Sequence, residues 1–358
     1  MEKNQILITS GTDYKRMTKE LLERTDLKSH IKDRDKKIGI KPNLVSPSEA
    51  SWGATTHPEV VAGIIEYLKE HGFRNLVMME GSWVGDKTRE AFEVCGYDRL
   101  EEEYQVPFWD MQKDKGIPLD CGGMELNICE RVKEIDFLIN VPVLKGHCQT
   151  KITCALKNMK GLIPNKEKRR FHSLGLHNPI AHLNMGIRQD FIVVDNICGD
   201  LDFEEGGNPV PTGRMLLGED PVQLDAYGCR LMGLALEQAP YIQMAEAWGA
   251  GSTRLEEGDV VRLNEPSAAA DYPAPSGAVA ALTRTVQARS ACSACYASLV
   301  RALHTSGVQG LPIAIGQGWR GIPFDGLGIG ACCNYAKERV PGCPPPAEDI
   351  LRVLSARC

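Results

Sequence analysis

The sequence contains no apolar run long enough to cross a bilayer, which excludes a helical membrane span. It also has no basic excess: 41 Lys and Arg stand against 47 Asp and Glu, a net charge of -6 with a pI near 5.8. A general nucleic-acid or anionic-membrane binder needs a positive field that this balance does not supply. No G-x-G-x-x-G follows the first strand-like run and there is no G-K-[ST], so neither a dinucleotide site nor a P-loop nucleotide site of those kinds is expected. Met1 to Gln5 lead straight into Ile6-Leu7-Ile8-Thr9, without the apolar stretch of a secretory signal. The expected compartment is the cytoplasm, where thiols stay reduced.

What the chain does have is cysteine, thirteen residues of it, an odd number. Structural disulfides are improbable in a reducing compartment, so these thiols need another account. Cys95, Cys121, Cys129, Cys148, Cys154, Cys198 and Cys229 are scattered singly and read as small buried hydrophobes. Cys292, Cys295, Cys332, Cys333, Cys343 and Cys358 crowd the C-terminal end.

At 358 residues, 43% hydrophobic and 25% charged, the chain is long enough for two or three globular domains. Over residues 1–264, apolar runs at Lys36–Val45, Asn75–Gly81, Glu134–Leu144 and Asp190–Ile197 alternate with amphipathic helical stretches. One helix opens at Thr56-His57-Pro58 and stops at His71-Gly72; another opens at Asp220-Pro221. The fold class is therefore α/β, a mixed or parallel sheet with flanking helices, whose ligands belong at the carboxyl ends of the strands. A Pro-, Ala- and Ser-rich stretch at 265–281 reads as a linker. Residues 282–358 read as a small C-terminal α/β domain: a helix near the first cysteine pair, a strand at Pro312–Gly318, a loop-rich Gly328–Pro346 and a last helix.

Cys292-Ser-Ala-Cys295 taken alone is a redox dithiol, half a zinc knuckle or half an iron–sulfur motif. Cys332, Cys333 and Cys343 in the same small domain favour a four-thiolate metal site. The second half is not a C-x-x-C knuckle, and Gly326, Gly328, Gly330 and Gly342 let backbone approach sulfide closely, so a [4Fe-4S] cluster is expected ahead of zinc. Only one of Cys332 and Cys333 is needed, and Cys358 reads as uninvolved. Val340–Leu351, VPGCPPPAEDIL, resembles the segment around a cluster cysteine in the small iron–sulfur subunit of respiratory complex I and of hydrogenases, over about a dozen residues.

The densest polar stretch is Asn140–Pro164. Lys145, Gly146 and His147 follow a strand-like run, with Thr150, Lys151, Thr153, Lys157, Asn158 and Lys160 behind them. A cationic loop at a strand's carboxyl end suits an anion, and desolvation would move a lysine towards acid–base use. A solvated basic turn is the plainer alternative. Glu80-Gly-Ser82 offers a base or a helix cap. Asp195 and Asp225 could pair with a pocket lysine, and His172 with Lys168, Arg169 and Arg170 could complete an anion pocket. His172, His177 and His182 recur every five residues and so do not share a helical face, which disfavours a three-histidine metal site.

Lys41-Pro42-Asn43, His57-Pro58, Asn140 to His147, Thr153-x3-Lys157-Asn158-x2-Gly161, His172, Asp195, Asp220-Pro221 and Asp225-Ala226 together resemble the DUF362 family, across roughly residues 36–235. Many members of that family carry iron–sulfur clusters. In those with a C-terminal cluster domain, a C-x-x-C is followed by G-x-C and G-C-P-P. The resemblance therefore implies Cys292, Cys295, Cys332 and Cys343 as ligands, with Cys333 as the alternative to Cys332. A likeness to the nickel-pincer lactate racemase fold is one of general architecture and carries no residues over.

The resulting expectation is an iron–sulfur oxidoreductase that passes electrons through the cluster to a small anionic substrate or cofactor. Lys41, Asn43, Lys157, Asn158 and His172 would bind that substrate, and Lys145 and His147 would be catalytic. Two alternatives stand beside it: a non-redox isomerase or lyase using cluster iron as Lewis acid, and a ferredoxin-like carrier or maturation factor. An electron-donor protein and a second copy of the chain are the expected partners; nucleic acid and membrane are not.

Overall fold

The computed structural model describes residues 5–265 and 277–357. They fall into two compact units, one of residues 5–146 and 150–265, the other of residues 147–149 and 277–357. Most of the linker expected at 265–281 lies outside the described residues, as does Cys358.

The first twelve strands in chain order are β1 (Ile6–Ser10), β2 (Ile38–Pro42), β3 (Leu76–Glu80), β4 (Phe108–Asp110), β5 (Gly116–Asp120), β6 (Glu125–Cys129), β7 (Phe137–Val141), β8 (Lys145–His147), β9 (Lys151–Thr153), β10 (Phe191–Asn196), β11 (Arg214–Gly218) and β12 (Val260–Arg262), all in the larger unit except for the last residue of β8. Eight of them form one sheet in the order β12-β1-β11-β10-β7-β2-β3-β4. Only β11 runs antiparallel to its neighbours, so the fold is a mixed, mainly parallel α/β sheet. β5–β6 and β8–β9 are separate hairpins.

Burial on both faces is why the central strands read as unbroken apolar runs. Every residue of β10 is buried, with Ile192 and Val194 in one core and Phe191 and Val193 in the other. β11 divides the same way, Leu216 to the first core and Met215 with Leu217 to the second. The helix Pro58–Glu70 covers the second core. Pro58 at its first turn needs no N–H partner, and His57 before it is extended. Gly63 lets this helix meet the helix Tyr14–Thr25: a Cβ there would lie 2.7 Å from the Lys15 carbonyl oxygen.

Register gathers the polar residues at the carboxyl ends. Lys41 on β2 pairs with Asn140 on β7, Glu80 ends β3, and Val143 bridges to Asp195 on β10.

The smaller unit has a four-stranded, all-parallel sheet, β13 (Val286–Ala288), β14 (Ile313–Ile315), β15 (Phe324–Ile329) and β16 (Ala336–Val340), in that order. The helices Ser293–Ser306 and Ala347–Ser355 pack on it through Leu299, Leu303, Ile350 and Leu354. One expectation is corrected here. Gly328–Pro346, read as loop-rich, holds the end of β15 and all of β16. β16 is an edge strand whose Lys337, Glu338 and Arg339 are exposed, so it lacks the apolar signal of a covered strand. Cys148 and Cys198 are likewise only half-buried, whereas Cys95, Cys121, Cys129, Cys154 and Cys229 are buried as expected.

Candidate functional site

The larger unit buries four lysines around the carboxyl ends of its parallel strands. Lys41 Nζ lies 2.6 Å from Glu80 Oε2 and donates to the Pro42 carbonyl at 3.0 Å. Both partners are almost fully buried. Burial lowers the Lys41 pKa, opposed by the Glu80 charge and its hydrogen bond. Glu80 Oε1 accepts from the Gly81 N–H at 2.7 Å. Gly161 closes over the pair with no room to spare, since a Cβ there would fall 1.8 Å from Glu80 Oε1 and 2.7 Å from Lys41 Nζ. Lys168 reaches the same corner, donating to the Gly81 and Ser82 carbonyls at 2.7 Å each; burial first, relieved by Glu80, lowers its pKa to about 8.

Lys145 opens β8. Its Nζ donates to the Ala54 carbonyl and, at 2.9 Å, to the Glu204 carbonyl. Burial is the main cause that lowers its pKa to about 7; neighbouring Lys157 adds to the effect, and Glu204, Glu205 and Asp200 oppose it. Lys157 Nζ donates to Thr153 Oγ1 at 2.9 Å and to the Glu204 carboxylate at 3.2 Å. Glu204 therefore touches both lysines, one through its backbone and one through its side chain. Gly146 is pinned beside them, because a Cβ there would lie 2.4 Å from the Leu201 carbonyl oxygen.

The asparagines form a line of buried amides. Asn43 donates to Asn158 Oδ1 at 3.0 Å, Asn158 to Asn140 Oδ1 at 2.7 Å, and Asn140 to Gln189 Oε1 at 2.6 Å. Gln189 donates in turn to Asn184 Oδ1 at 2.6 Å. Each amide is thereby oriented by the next, and the line ties β2 and β7 to the helix Ala155–Asn158. His172 lies on the last turn of the helix Asn165–Leu174. Glu204 and Gln189 are the additions the structure makes to the residues expected from sequence, while Lys168, expected in an anion pocket with His172, reaches the Lys41–Glu80 corner.

In the smaller unit Cys292, Cys295, Cys332 and Cys343 lie within electrostatic reach of one another. Cys292 caps the helix Ser293–Ser306 and Cys295 lies in its first turn; Cys332 lies in the turn after β15, and Cys343 follows β16. Burial raises the Cys292 pKa, with Cys332 and Cys343 adding to it. Burial likewise raises Cys295 to about 12, with Cys292, Cys343, Cys332 and Cys333 adding. Gln317 Nε2 donates to Cys292 Sγ at 3.6 Å. Gly330, at φ 88°, faces Cys295, whose Sγ would lie 3.5 Å from a Cβ built there. The two adjacent cysteines part company. Cys333 is buried, donates to the Ala314 carbonyl at 3.3 Å and packs against Ala314 and Trp319. Cys332 is half-buried and hydrogen-bonded by Arg320.

His147, expected beside Lys145 in the reaction, is a residue of the smaller unit. Its Nδ1 accepts from the Gln149 N–H at 3.0 Å and its Nε2 lies 3.0 Å from Ser293 Oγ, between the two cysteines of the C-x-x-C.

The family model described as "Domain of unknown function (DUF362)" matches residues 38–230. The chain belongs to this family. The DUF362 region includes the four buried lysines and the amide line. A curated relative, the thylakoid-associated protein sll1697 of Synechocystis sp., is 24% identical over 231 residues, which cover 62% of this chain and 70% of that protein. A solved structure, the lactate racemase apoprotein of Thermoanaerobacterium thermosaccharolyticum, is similar at a TM-score of 0.41 and 18% identity, over 64% of this chain and 57% of that one. The DUF362 chain thus spans less than two thirds of the racemase chain. Among its described residues, no helix is long and apolar enough to cross a membrane.

Proposed function

We propose that the larger unit is a proton-transferring enzyme of the isomerase or lyase kind, acting on a small anionic substrate. Lys145 carries this reading. An amine with a pKa of about 7 is present in both protonation states at neutrality, so it can take a proton from carbon and return it. Lys157 is the anion-binding neighbour, and the Glu204 carboxylate 3.2 Å from its Nζ marks a position that a substrate carboxylate would take over. Lys41, held by Glu80, adds positive charge to the same edge of the sheet, and Asn43 and Asn158 fix the backbone from which these lysines project. Burial keeps water from competing for the proton.

The smaller unit's donor set fits an iron–sulfur cluster. Cys292, Cys295, Cys332 and Cys343 would supply four thiolates, and Gly330, at positive φ, brings backbone close to the Cys295 sulfur. When bound, such a cluster supplies an electron path if fully ligated by thiolates, or a Lewis-acidic iron if one ligand is missing. The grouping of these four thiols favours the first, and it supports an iron–sulfur oxidoreductase as the second reading of the whole chain.

The test is hydrogen exchange into substrate. The full chain, prepared anaerobically, is incubated in deuterium oxide with a panel of small 2-hydroxy and 2-keto acids, and label at C2 of the hydroxy acids and at C3 of the keto acids is read by NMR. Exchange that is lost in Lys145→Met, and that needs a higher substrate concentration in Lys157→Met, supports proton transfer. Exchange undiminished in Lys145→Met sinks it. Substrate-dependent reoxidation of the reduced protein without any exchange selects the oxidoreductase instead.

A further inference from the structure

The loop after β10 brings a cysteine to the histidine that precedes the helix Pro58–Glu70. Cys198 Sγ lies 3.6 Å from His57 Nε2 and 3.3 Å from the Ala50 carbonyl oxygen. On the other side of the ring, His57 Nδ1 lies 2.8 Å from Asp195 Oδ2. The Asp195 carboxylate is itself fixed by two backbone donors, the His57 N–H at 2.8 Å and the Ile197 N–H at 3.1 Å. The Tyr14 ring meets the imidazole edge-on, centroids 5.3 Å apart. Gly53 locks the two loops together, because a Cβ there would lie 2.5 Å from the Asp200 nitrogen and 2.6 Å from the Cys198 carbonyl oxygen. Neither Cys198 nor His57 has a part in the proton transfer proposed above.

We propose that Cys198, His57 and Asp195 form a nucleophilic thiol site whose electrophile is a small hydroperoxide. The order sulfur, imidazole, carboxylate is the arrangement that activates a thiol: the carboxylate orients the ring through Nδ1 and leaves Nε2 facing sulfur. Burial alone would lower the His57 pKa, but the Asp195 charge and hydrogen bond, with Cys198 adding, raise it to about 10, so the ring is protonated at neutrality. The attacking species is the thiolate, and Nε2, 3.6 Å from the sulfur, holds its proton where the leaving oxygen will need it. The thiolate sulfur attacks the terminal peroxide oxygen, forming the S–O bond as the O–O bond breaks. The departing alkoxide or hydroxide takes the Nε2 proton. Sulfur is oxidised by two electrons to a sulfenic acid, and the peroxide is reduced to an alcohol or water. A carbon electrophile that expels a stable anion needs no proton at this point, whereas a peroxide does, and Nε2 is the donor already in place. A peroxide is also compact enough for a half-buried sulfur.

The full chain, kept anaerobic until use, is pulsed at neutral pH with hydrogen peroxide or tert-butyl hydroperoxide. Sulfenic acid is trapped with dimedone and located by peptide mass spectrometry, in native buffer and in urea. The expected result is native oxidation of Cys198 roughly tenfold or more faster than in the unfolded chain, falling by a similar factor in His57→Gln. A native rate no higher than the unfolded rate overturns the site, and that comparison stands even if the His57 variant does not fold. Retention of the full native rate in a folded His57→Gln overturns it too. Rapid alkylation by iodoacetamide without rapid oxidation overturns the hydroperoxide assignment.

Discussion

Lys41 and Glu80 form an ion pair that is almost fully out of water. Removing one partner of a buried pair leaves the other uncompensated, at a cost of about 3–5 kcal/mol. Glu80→Gln is therefore expected to lower the urea midpoint by the equivalent of about 3 kcal/mol, and Lys41→Met added to it should restore part of the loss, since the stranded charge goes with it. Restoration distinguishes the ion pair from mere packing. Lys145 gives a pH signature of definite sign. Its pKa of about 7 lies below the ordinary lysine value of 10.5. Below pH 7 native and unfolded chains both carry the proton and the burial cost is borne in full. Between the two values the unfolded chain binds more protons, so stability rises with pH. Wild type should therefore gain on Lys145→Met from about pH 7 to about pH 10, read from urea titrations across that range. His57 has the opposite sign. Its raised pKa of about 10 gives stability that is complete below 6.5 and lost as pH climbs through 10, so the margin over His57→Gln should shrink over that window.

Turning to whole elements, β8 is held to the 198–205 loop by the absence of a side chain at Gly146. An added methyl would meet the Leu201 carbonyl oxygen at 2.4 Å, which is backbone and cannot swing aside. Gly146→Ala should cost about 2 kcal/mol by overpacking. It should also weaken the contact of Glu204 with Lys157, visible as a changed pH dependence of exchange. The same elements show what can be read from sequence. β2, β7 and β10 are legible because helices cover both faces and the residues are apolar throughout; Lys41 and Lys145 stand out as cations at the ends of such runs. Lys168 is legible as a cation of a candidate pocket but not in its partners, because only the fold brings the Gly81 and Ser82 carbonyls to it. Glu204 sits in an acidic turn with no periodicity, and only the fold brings it to Lys157. Cys198 looks like any scattered thiol until the loop at Ala50–His57 closes on it. In each case the missing information is a contact between segments far apart in the chain, which local pattern does not encode.

For the molecule as a whole, the division into two units implies separable stabilities. The smaller sheet is built of short strands, and a metal bound by folded-state thiolates would add its binding free energy to the folding of that unit. Its four neighbouring thiols predict brown protein after anaerobic purification, with iron and sulfide near four each per chain. Cys332→Ser should abolish the colour, because Cys332 belongs to that set. Cys333→Ser should keep it, because that thiol is turned to the Ala314 carbonyl and the Trp319 ring. Inversion of the two results would reassign the third ligand, and colourless wild type with one zinc would remove iron and sulfide from the account. Removing the metal with a chelator should then loosen residues 277–357 alone. Hydrogen exchange followed by peptide mass spectrometry should show β14 and β15 losing protection while β2, β7 and β10 keep theirs, since the larger unit's two cores contain no cluster ligand. Equal loss in both units would mean that the chain unfolds as one body and that the metal stabilises all of it.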